Sequence, residues 1–251
     1  MKKPVTLILG AVPWEIRPII AALSGRRSGK LHGFSWQAGR ISGLEVVTAI
    51  TGVGKTNAAM IASLFLAAFK PVRLLFTGTA ARLNPDLRTG DVIVGLRTFH
   101  HDAGSWQDGG MVYRKIIGPV AGRPTNYQFK ADPGLVRSAL SAAKTYDPRP
   151  VTANGSTYTP VVRAGRICAG DIFGMPQSKI DDIRAKLACD LVEMEGAAIG
   201  QVCTELGVPH LVIRGGSNRA QPDPGGDYKR LGQIAARQAA FFTLHLVHQL
   251  A

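Results

Sequence analysis

The sequence predicts a single three-layer α/β/α sandwich built around a mainly parallel, mixed central sheet. Three observations predict it. Short apolar runs alternate with helical stretches from one end of the chain to the other, the pattern of a sheet crossed over by helices. The apolar runs are rich in Val, Ile and Leu with little polar alternation, as strands covered on both faces should be. The chain has 251 residues, 45% of them apolar and 19% charged, which allows one core without disulfide or metal and excludes a disordered protein. No internal repeat or linker divides the chain, so residues 1–251 read as one domain.

Taken in order, the first strand is expected at 5–9, after Met1-Lys2-Lys3-Pro4. That start faintly resembles a signal peptide, but its apolar run is too short and Trp14-Glu15-Ile16-Arg17 interrupts where cleavage should fall. The reading is a strand of a cytoplasmic protein. A helix over 15–23, a strand at 44–50 and a helix over 55–69 follow, then strands at 72–76 and 91–94. Residues 98–130, with His100-His101-Asp102, Gly109-Gly110 and Pro124, form the loop-rich part and read as a lid or an interface segment. Beyond it come a helix over 133–146, a strand at 163–168, a helix over 176–188 and a strand at 191–194. In the helix over 197–206, Ala198, Val202 and Leu206 recur at helical spacing, and Gly207 supplies a C-cap before Pro209. A strand at 210–213 and a helix over 228–250 complete the chain. No segment reaches the ~18–20 uninterrupted apolar residues of a membrane span, so no membrane partner is expected.

Cys168, Cys189 and Cys203 are widely spaced, with no CxxC and no zinc spacing, and read as buried thiols in a reducing compartment. No metal and no cofactor are expected. The formal charge of +13 raises the question of nucleic acid. Lys and Arg are scattered in ones and twos, however, so an Arg-rich solvated surface is the reading and no specific nucleic-acid partner is expected.

In open α/β sheets, ligands bind beyond the carboxyl ends of the strands. Several strands here end alike, with Gly and then a polar side chain: Gly10-Ala11-Val12-Pro13-Trp14-Glu15, Thr77-Gly78-Thr79-Ala80, Gly170-Asp171-Ile172-Phe173-Gly174, Glu193-Met194-Glu195-Gly196 and Arg214-Gly215-Gly216-Ser217-Asn218. The repetition predicts one crevice lined by Glu15, Thr79, Phe173, Glu195 and Asn218. Glu193 and Glu195, two residues apart at a buried strand's end, should point the same way. Burying carboxylates is unfavourable unless they grip a ligand's hydroxyls or hold a raised pKa for acid/base work. The alternative is that both cap the helix that begins near Ala197, where negative charge suits the dipole.

Ala49-Ile50-Thr51-Gly52-Val53-Gly54-Lys55-Thr56 fits a loose phosphate-binding loop between a strand and a helix. No later strand ends in an Asp for magnesium and no switch-like segment follows, so a nucleotide triphosphatase is disfavoured. A turn that brings backbone near a ribose or base explains the same residues.

At this point the chain resembles the nucleoside phosphorylase/nucleosidase superfamily, and within it the 5′-methylthioadenosine/S-adenosylhomocysteine nucleosidases. The resemblance rests on Thr51-Gly52-Val53-Gly54-Lys55, Thr77-Gly78-Thr79-Ala80, Gly90-Asp91-Val92-Ile93-Val94, His101-Asp102-Ala103, Gly170-Asp171-Ile172-Phe173, Val192-Glu193-Met194-Glu195-Gly196-Ala197-Ala198 and Arg214-Gly215-Gly216-Ser217-Asn218. It covers nearly the whole chain, and its most specific segment is Val192 to Gly196. It implies a phosphorylase/hydrolase-like fold and hydrolysis of a purine nucleoside to free base and a 5-substituted ribose. By that resemblance Glu15 is the general base toward water, Glu195 takes the ribose hydroxyls and Met194 packs on the sugar. Phe173 stacks on the base while backbone at Gly174 reads its edge, and Thr79 sits near sugar and water. Glu193 and Ser217 complete the binding set. The family assembles as homodimers or larger homo-oligomers, and 98–130 is the expected contributor to the neighbour's pocket.

Related phosphorylases carry arginines beside the ribose where this chain reads Phe76-Thr77-Gly78-Thr79 and Val12-Pro13-Trp14-Glu15. A carboxylate there repels phosphate, so water is the expected nucleophile, with Arg17 and Arg82 as the cations that would restore phosphate binding. Asn218 departs from the family's Asp and cannot deliver a proton to the leaving purine. That leaves slower adenine cleavage, a preference for 6-oxopurine (inosine- or futalosine-like) nucleosides, a phosphate-dependent phosphorylase, or a nucleoside-binding protein without efficient chemistry. The pair His100-His101 reads either as a hydrogen-bonded structural pair or as a help in positioning substrate.

Overall fold

The strand β1 (Val5–Gly10) shows why the apolar runs lack polar alternation. Leu7 and Leu9 point into one core layer with Ile61, Phe65 and Ile199, while Ile8 points into the other with Ile19, Leu135 and Phe242. Both faces are covered, so neither needs polar residues.

The structure is a computed structural model that describes residues 4–153, 155–220 and 227–251; residues 1–3, the beginning of the signal-like N-terminus, lie outside it. After β1 come α1 (Pro13–Ala22), β2 (Ser24–Leu31), β3 (Phe34–Ile41), β4 (Leu44–Ile50), α2 (Lys55–Phe69), β5 (Arg73–Arg82) and β6 (Val92–His100). Two hairpins follow, β7 (Gly104–Gln107) with β8 (Gly110–Tyr113) and β9 (Ile116–Val120) with β10 (Arg123–Thr125). Next are β11 (Gln128–Lys130), α3 (Pro133–Thr145) and a hairpin of β12 (Val151–Ala153) with β13 (Ser156–Tyr158). The last third holds β14 (Val162–Ala169), α4 (Gln177–Leu187), β15 (Leu191–Glu193), α5 (Gly196–Glu205), β16 (His210–Arg219) and α6 (Asp227–Gln249).

Ten strands form one mixed sheet in the order β11-β6-β14-β15-β5-β1-β4-β3-β2, with β16 bonded to both β5 and β6. The pairings β1–β4, β1–β5, β16–β5, β14–β6 and β14–β15 are parallel. β2, β3 and β11 add antiparallel edges. Helices α2 and α5 cover one face and α1, α3 and α6 the other, which gives the three expected layers. Among the described residues no helix is long and apolar enough to cross a membrane.

Three features differ from the sequence reading. β2 and β3 were not expected, because their Ser, Gly and Arg side chains are largely exposed on an edge hairpin. Their turn, His32-Gly33, has both residues at positive φ (47° and 88°), the geometry that suits strand twist in a two-residue hairpin. Residues 98–130 contain hairpins where loop was expected. β7–β8 is fastened to α4 by Lys186 Nζ, which donates to the carbonyls of Gly109 (3.0 Å) and Met111 (2.9 Å). Lastly, β5 and β16 run past the expected strand ends, since they pair with each other through Thr79 and Gly215. Thr79, Arg214, Ser217 and Asn218 therefore lie on strands rather than in the turns after them.

Candidate active site

A cleft opens beyond the carboxyl ends of β1, β5, β14 and β15, where open α/β sheets bind their ligands. Glu15, Thr79, Phe173, Gly174, Glu193, Met194, Glu195 and Asn218 all line it, together with Val53 and Tyr228.

Glu15 sits in the first turn of α1, where Pro13 starts the helix and the carboxyl folds back onto the turn. Its Oε2 accepts from the backbone N–H groups of Ala11 (2.7 Å) and Val12 (3.2 Å), and its Oε1 from Thr79 N–H (2.7 Å). The side chain is buried, and burial raises its pKa even though Arg214 and these donors pull the other way. The carboxyl is thus rigidly aimed and holds its proton more tightly than an exposed glutamate.

Beneath it lies Arg214, on β16, with no exposed surface. The sequence reading looked for a cation in Arg17 and Arg82, and the structure supplies a different one. Arg17 is exposed, and Arg82 spends its donors on the carbonyls of Ser217 (2.8 Å) and Leu87 (2.6 Å). Arg214 instead bonds Glu193, reaches Glu195 Oε2 at 3.0 Å and stands 3.6 Å from Glu15 Oε1. Its guanidinium also packs 4.3 Å from the centre of the Phe76 ring. The signal available in the sequence was an arginine following one apolar strand while two glutamates follow another, since buried charges require partners. Gly78, the register partner of Arg214, makes the arrangement possible. A Cβ there would collide with both the Arg214 guanidinium and the Glu15 carboxylate.

The two candidate roles of Glu193 and Glu195 are divided between them. Glu193 caps the helix: its carboxylate accepts from Glu195 N–H (3.0 Å) and Gly196 N–H (2.7 Å) at the start of α5. The Glu195 side chain does not cap α5, and its Oε1 instead accepts from Gly54 N–H at 2.9 Å. Burial, and then the neighbouring Glu193, push its pKa up to about 8 against the pull of Arg214. Glu15 and Glu195 therefore line one cleft, as the single crevice read from the sequence requires, and share one cation that the reading did not assign.

On the opposite wall Phe173 is 64% exposed, with its ring 5.2 Å from that of Tyr228 in an edge contact. Tyr228 was missed because it precedes the apolar pattern of α6. Asn218 lines the cleft while its Nδ2 donates to Arg219 O (2.9 Å) and its Oδ1 accepts from Ser217 Oγ (3.0 Å). Ser217 departs from its expected role. It is buried, its Oγ stands 3.0 Å from both Ala80 O and Asn218 Oδ1 so that its one proton is shared between them, and it does not line the cleft. Thr79 Oγ1 is buried with no hydrogen-bond partner among the described residues.

The phosphate-loop look-alike holds carboxylates instead of phosphate. Gly54 N–H faces Glu195, Lys55 N–H donates to Asp171 Oδ1 (2.8 Å), and Lys55 Nζ pairs with Asp102 Oδ1 (2.7 Å). His100 bonds Gln201 through Nε2 (3.0 Å) and is a structural group. His101 is fully buried, and burial drives its pKa down to about 4, so it is neutral. Neither histidine lines the cleft.

A sequence model described as the phosphorylase superfamily matches residues 6–248. A 5′-methylthioadenosine/S-adenosylhomocysteine nucleosidase of Geobacillus kaustophilus is 31% identical over 242 residues, covering 96% of this chain and 95% of the relative. The crystal structure of the corresponding nucleosidase of Neisseria meningitidis in complex with methylthio-immucillin-A superposes with a TM-score of 0.82 at 28% identity, covering 97% and 98% of the two chains. An S-adenosylhomocysteine nucleosidase of Streptococcus pyogenes, in complex with 5-methylthiotubericidin, gives 0.83 at 27% identity over 100% and 99%.

Proposed function

The chain belongs to the phosphorylase superfamily, and from that premise we propose that it hydrolyses the N-glycosidic bond of a purine nucleoside of the 5′-methylthioadenosine/S-adenosylhomocysteine class. The observation that carries the reading is the cleft floor, where Glu15, Glu193 and Glu195 converge on the buried cation Arg214. Three carboxyl groups enclose the one guanidinium, so a phosphate dianion would meet carboxyl oxygens in place of free cationic donors, which leaves water as the nucleophile.

In the reaction, Glu15 in its carboxylate form removes a proton from water as the oxygen attacks the anomeric carbon. Its raised pKa suits that task, because a base works best with a pKa near the operating pH. Glu195 accepts from the ribose hydroxyls, Met194 packs beside the sugar, and Thr79 Oγ1 is a free donor on the same side. Phe173 stacks on the base. As the glycosidic bond breaks, its electron pair moves into the purine, which leaves as an anion held by a hydrogen bond from Asn218 Nδ2 and takes its proton from solvent water, while Glu15 returns the proton it accepted to solvent. Asn218 favours a second reading, a 6-oxopurine nucleoside, since an amide offers both a donor and an acceptor.

The test is base release from 5′-methylthioadenosine and from inosine, with and without phosphate, for the protein and for Asn218→Asp. Adenine and free 5-methylthioribose without phosphate are expected, with faster adenine release in the variant. Formation of a ribose 1-phosphate product would refute hydrolysis, and loss of adenine cleavage in Asn218→Asp would refute the role given to that position.

The protein is further proposed to act as a homodimer or larger homo-oligomer. The fully exposed Ile117, beside Ile116 and Val120, offers residues 98–130 an apolar surface for a neighbour. Sedimentation of a monomer at working concentration would overturn that. Cys168, Cys189 and Cys203 are free and buried, in keeping with the cytoplasmic location expected from the sequence.

A further inference from the structure

The cleft has two working walls, a loop at 170–174 that carries Phe173 and Gly174, and the ribose anchor Glu195 held by Gly54. A ring of bonds joins them. Lys55 Nζ donates to Asp102 Oδ1 (2.7 Å), Asp171 N–H donates to Asp102 Oδ2 (3.1 Å), and Lys55 N–H donates to Asp171 Oδ1 (2.8 Å). Every member bonds both others, so the ring closes on itself. Gly54, the next residue, donates to Glu195 Oε1 at 2.9 Å. The base loop and the ribose anchor are therefore separated by one peptide unit of a closed network.

We propose that Lys55, Asp102 and Asp171 are positioning residues, a clamp that sets the distance between the base loop and the ribose carboxylate. The proposal rests on the nucleosidase reading above. A lone surface ion pair would contribute little. This one is different in three respects. The Lys55 and Asp102 side chains are only 24% and 19% exposed, two of the bonds are to backbone N–H groups, and the pair belongs to a network. Burial alone would raise the Asp102 pKa, yet the carboxyl is held below its ordinary range by the Lys55 ammonium and Asp171 N–H, so the clamp stays charged. Gly54 adds a steric constraint. It sits at φ +98°, and a Cβ on it would lie 3.1 Å from Asp171 Oδ1. The residues that resemble a phosphate loop thus serve to align two halves of a nucleoside pocket.

The clamp can be read without substrate by hydrogen-exchange mass spectrometry of peptides covering 51–57 and 169–175. Lys55→Met and Asp171→Ala are expected to speed exchange in both segments together, while peptides from the sheet core stay protected and report an intact fold. Asp171→Asn should keep 51–57 slow, because the amide oxygen still accepts from Lys55 N–H. With nucleoside, Lys55→Met and Asp171→Ala should raise KM about tenfold, the coupling of one shared network, while the Kd for free adenine changes less than about threefold. Exchange that rises only in the mutated segment would overturn the clamp, as would equal losses for nucleoside and free base. If the unmodified protein cleaves no nucleoside, the functional reading fails, and the exchange experiment still decides the clamp.

Discussion

Two strand-to-helix turns stand side by side at the carboxyl edge of the sheet, and they are filled in opposite ways. The turn between β1 and α1 is closed by Glu15 of its own helix, three and four residues from the N–H groups of Val12 and Ala11. The turn between β4 and α2 is closed by carboxylates 141 and 116 residues away, Glu195 on Gly54 and Asp171 on Lys55. A helix N-terminus is a ready anion site. Here both are occupied by the protein's own carboxylates, and neither is left for phosphate. The difference teaches which carboxylate belongs to which task. Glu15 is aimed first by its own turn, through Oε2, with Thr79 N–H on β5 completing the hold on Oε1. Glu195 reaches its place only when the distant loops meet, so it reports on the assembly of the whole pocket.

The sharpest way to break this comparison is Glu15→Gln. The amide oxygen still accepts from Ala11 and Val12 N–H, so the turn persists, while Thr79 N–H loses its acceptor and the base is lost. We expect kcat to fall ~10²–10⁴-fold with KM nearly constant, the loss of one positioned general base. Steady-state kinetics check it, and a rise in KM at unchanged kcat would mean that Glu15 binds substrate and does not act on water.

Next in size is Arg214→Met. Both turns depend on this cation, since it stands 3.6 Å from Glu15 and 3.0 Å from Glu195. Removing it leaves buried carboxylates without their partner, a change that destabilises by about 3–5 kcal/mol. A urea midpoint close to that of the unmodified protein would show that the carboxylates do not need the charge, and the shared-cation account of the cleft would fall.

Legibility in the sequence followed the same division. β1, β4, α2 and the strand–glycine–polar endings were readable because burial on both faces imposes runs of Val, Ile and Leu. Glu15, Glu195, Phe173 and Asn218 could be assigned to one crevice because each follows such a run. The hairpin β2–β3 was not readable, since exposed edge strands carry no apolar signature. Arg214 was quoted within its motif but given no role, because nothing local shows that its partners are Glu15, Glu193 and Glu195 from three other elements. Ser217 was placed in the binding set for a similar reason: one of the two oxygens its hydroxyl faces, Ala80 O, lies on a strand 137 residues earlier. Local chemistry was legible, and long-range partnership was not.

The smallest expected effect separates the two turns by pH. Burial lifts the Glu195 pKa from 4.5 to about 8. A carboxyl whose native pKa lies above its unfolded one binds its proton more tightly when folded. Its contribution to stability is complete below about 4.5 and drains away as pH rises through about 8. In Glu195→Gln nothing titrates at this position, so the variant should lose less stability over that window. The slopes of unfolding free energy against pH should differ by up to about 1.4 kcal/mol per pH unit, the value of one proton. Urea titrations at intervals between pH 5 and 8 give both curves. Parallel curves would mean that Glu195 is ionised throughout in the empty protein, held so by Arg214 and Gly54 N–H. Its long-range partners would then satisfy it as completely as the local ones satisfy Glu15, and the contrast between the turns would be one of origin only.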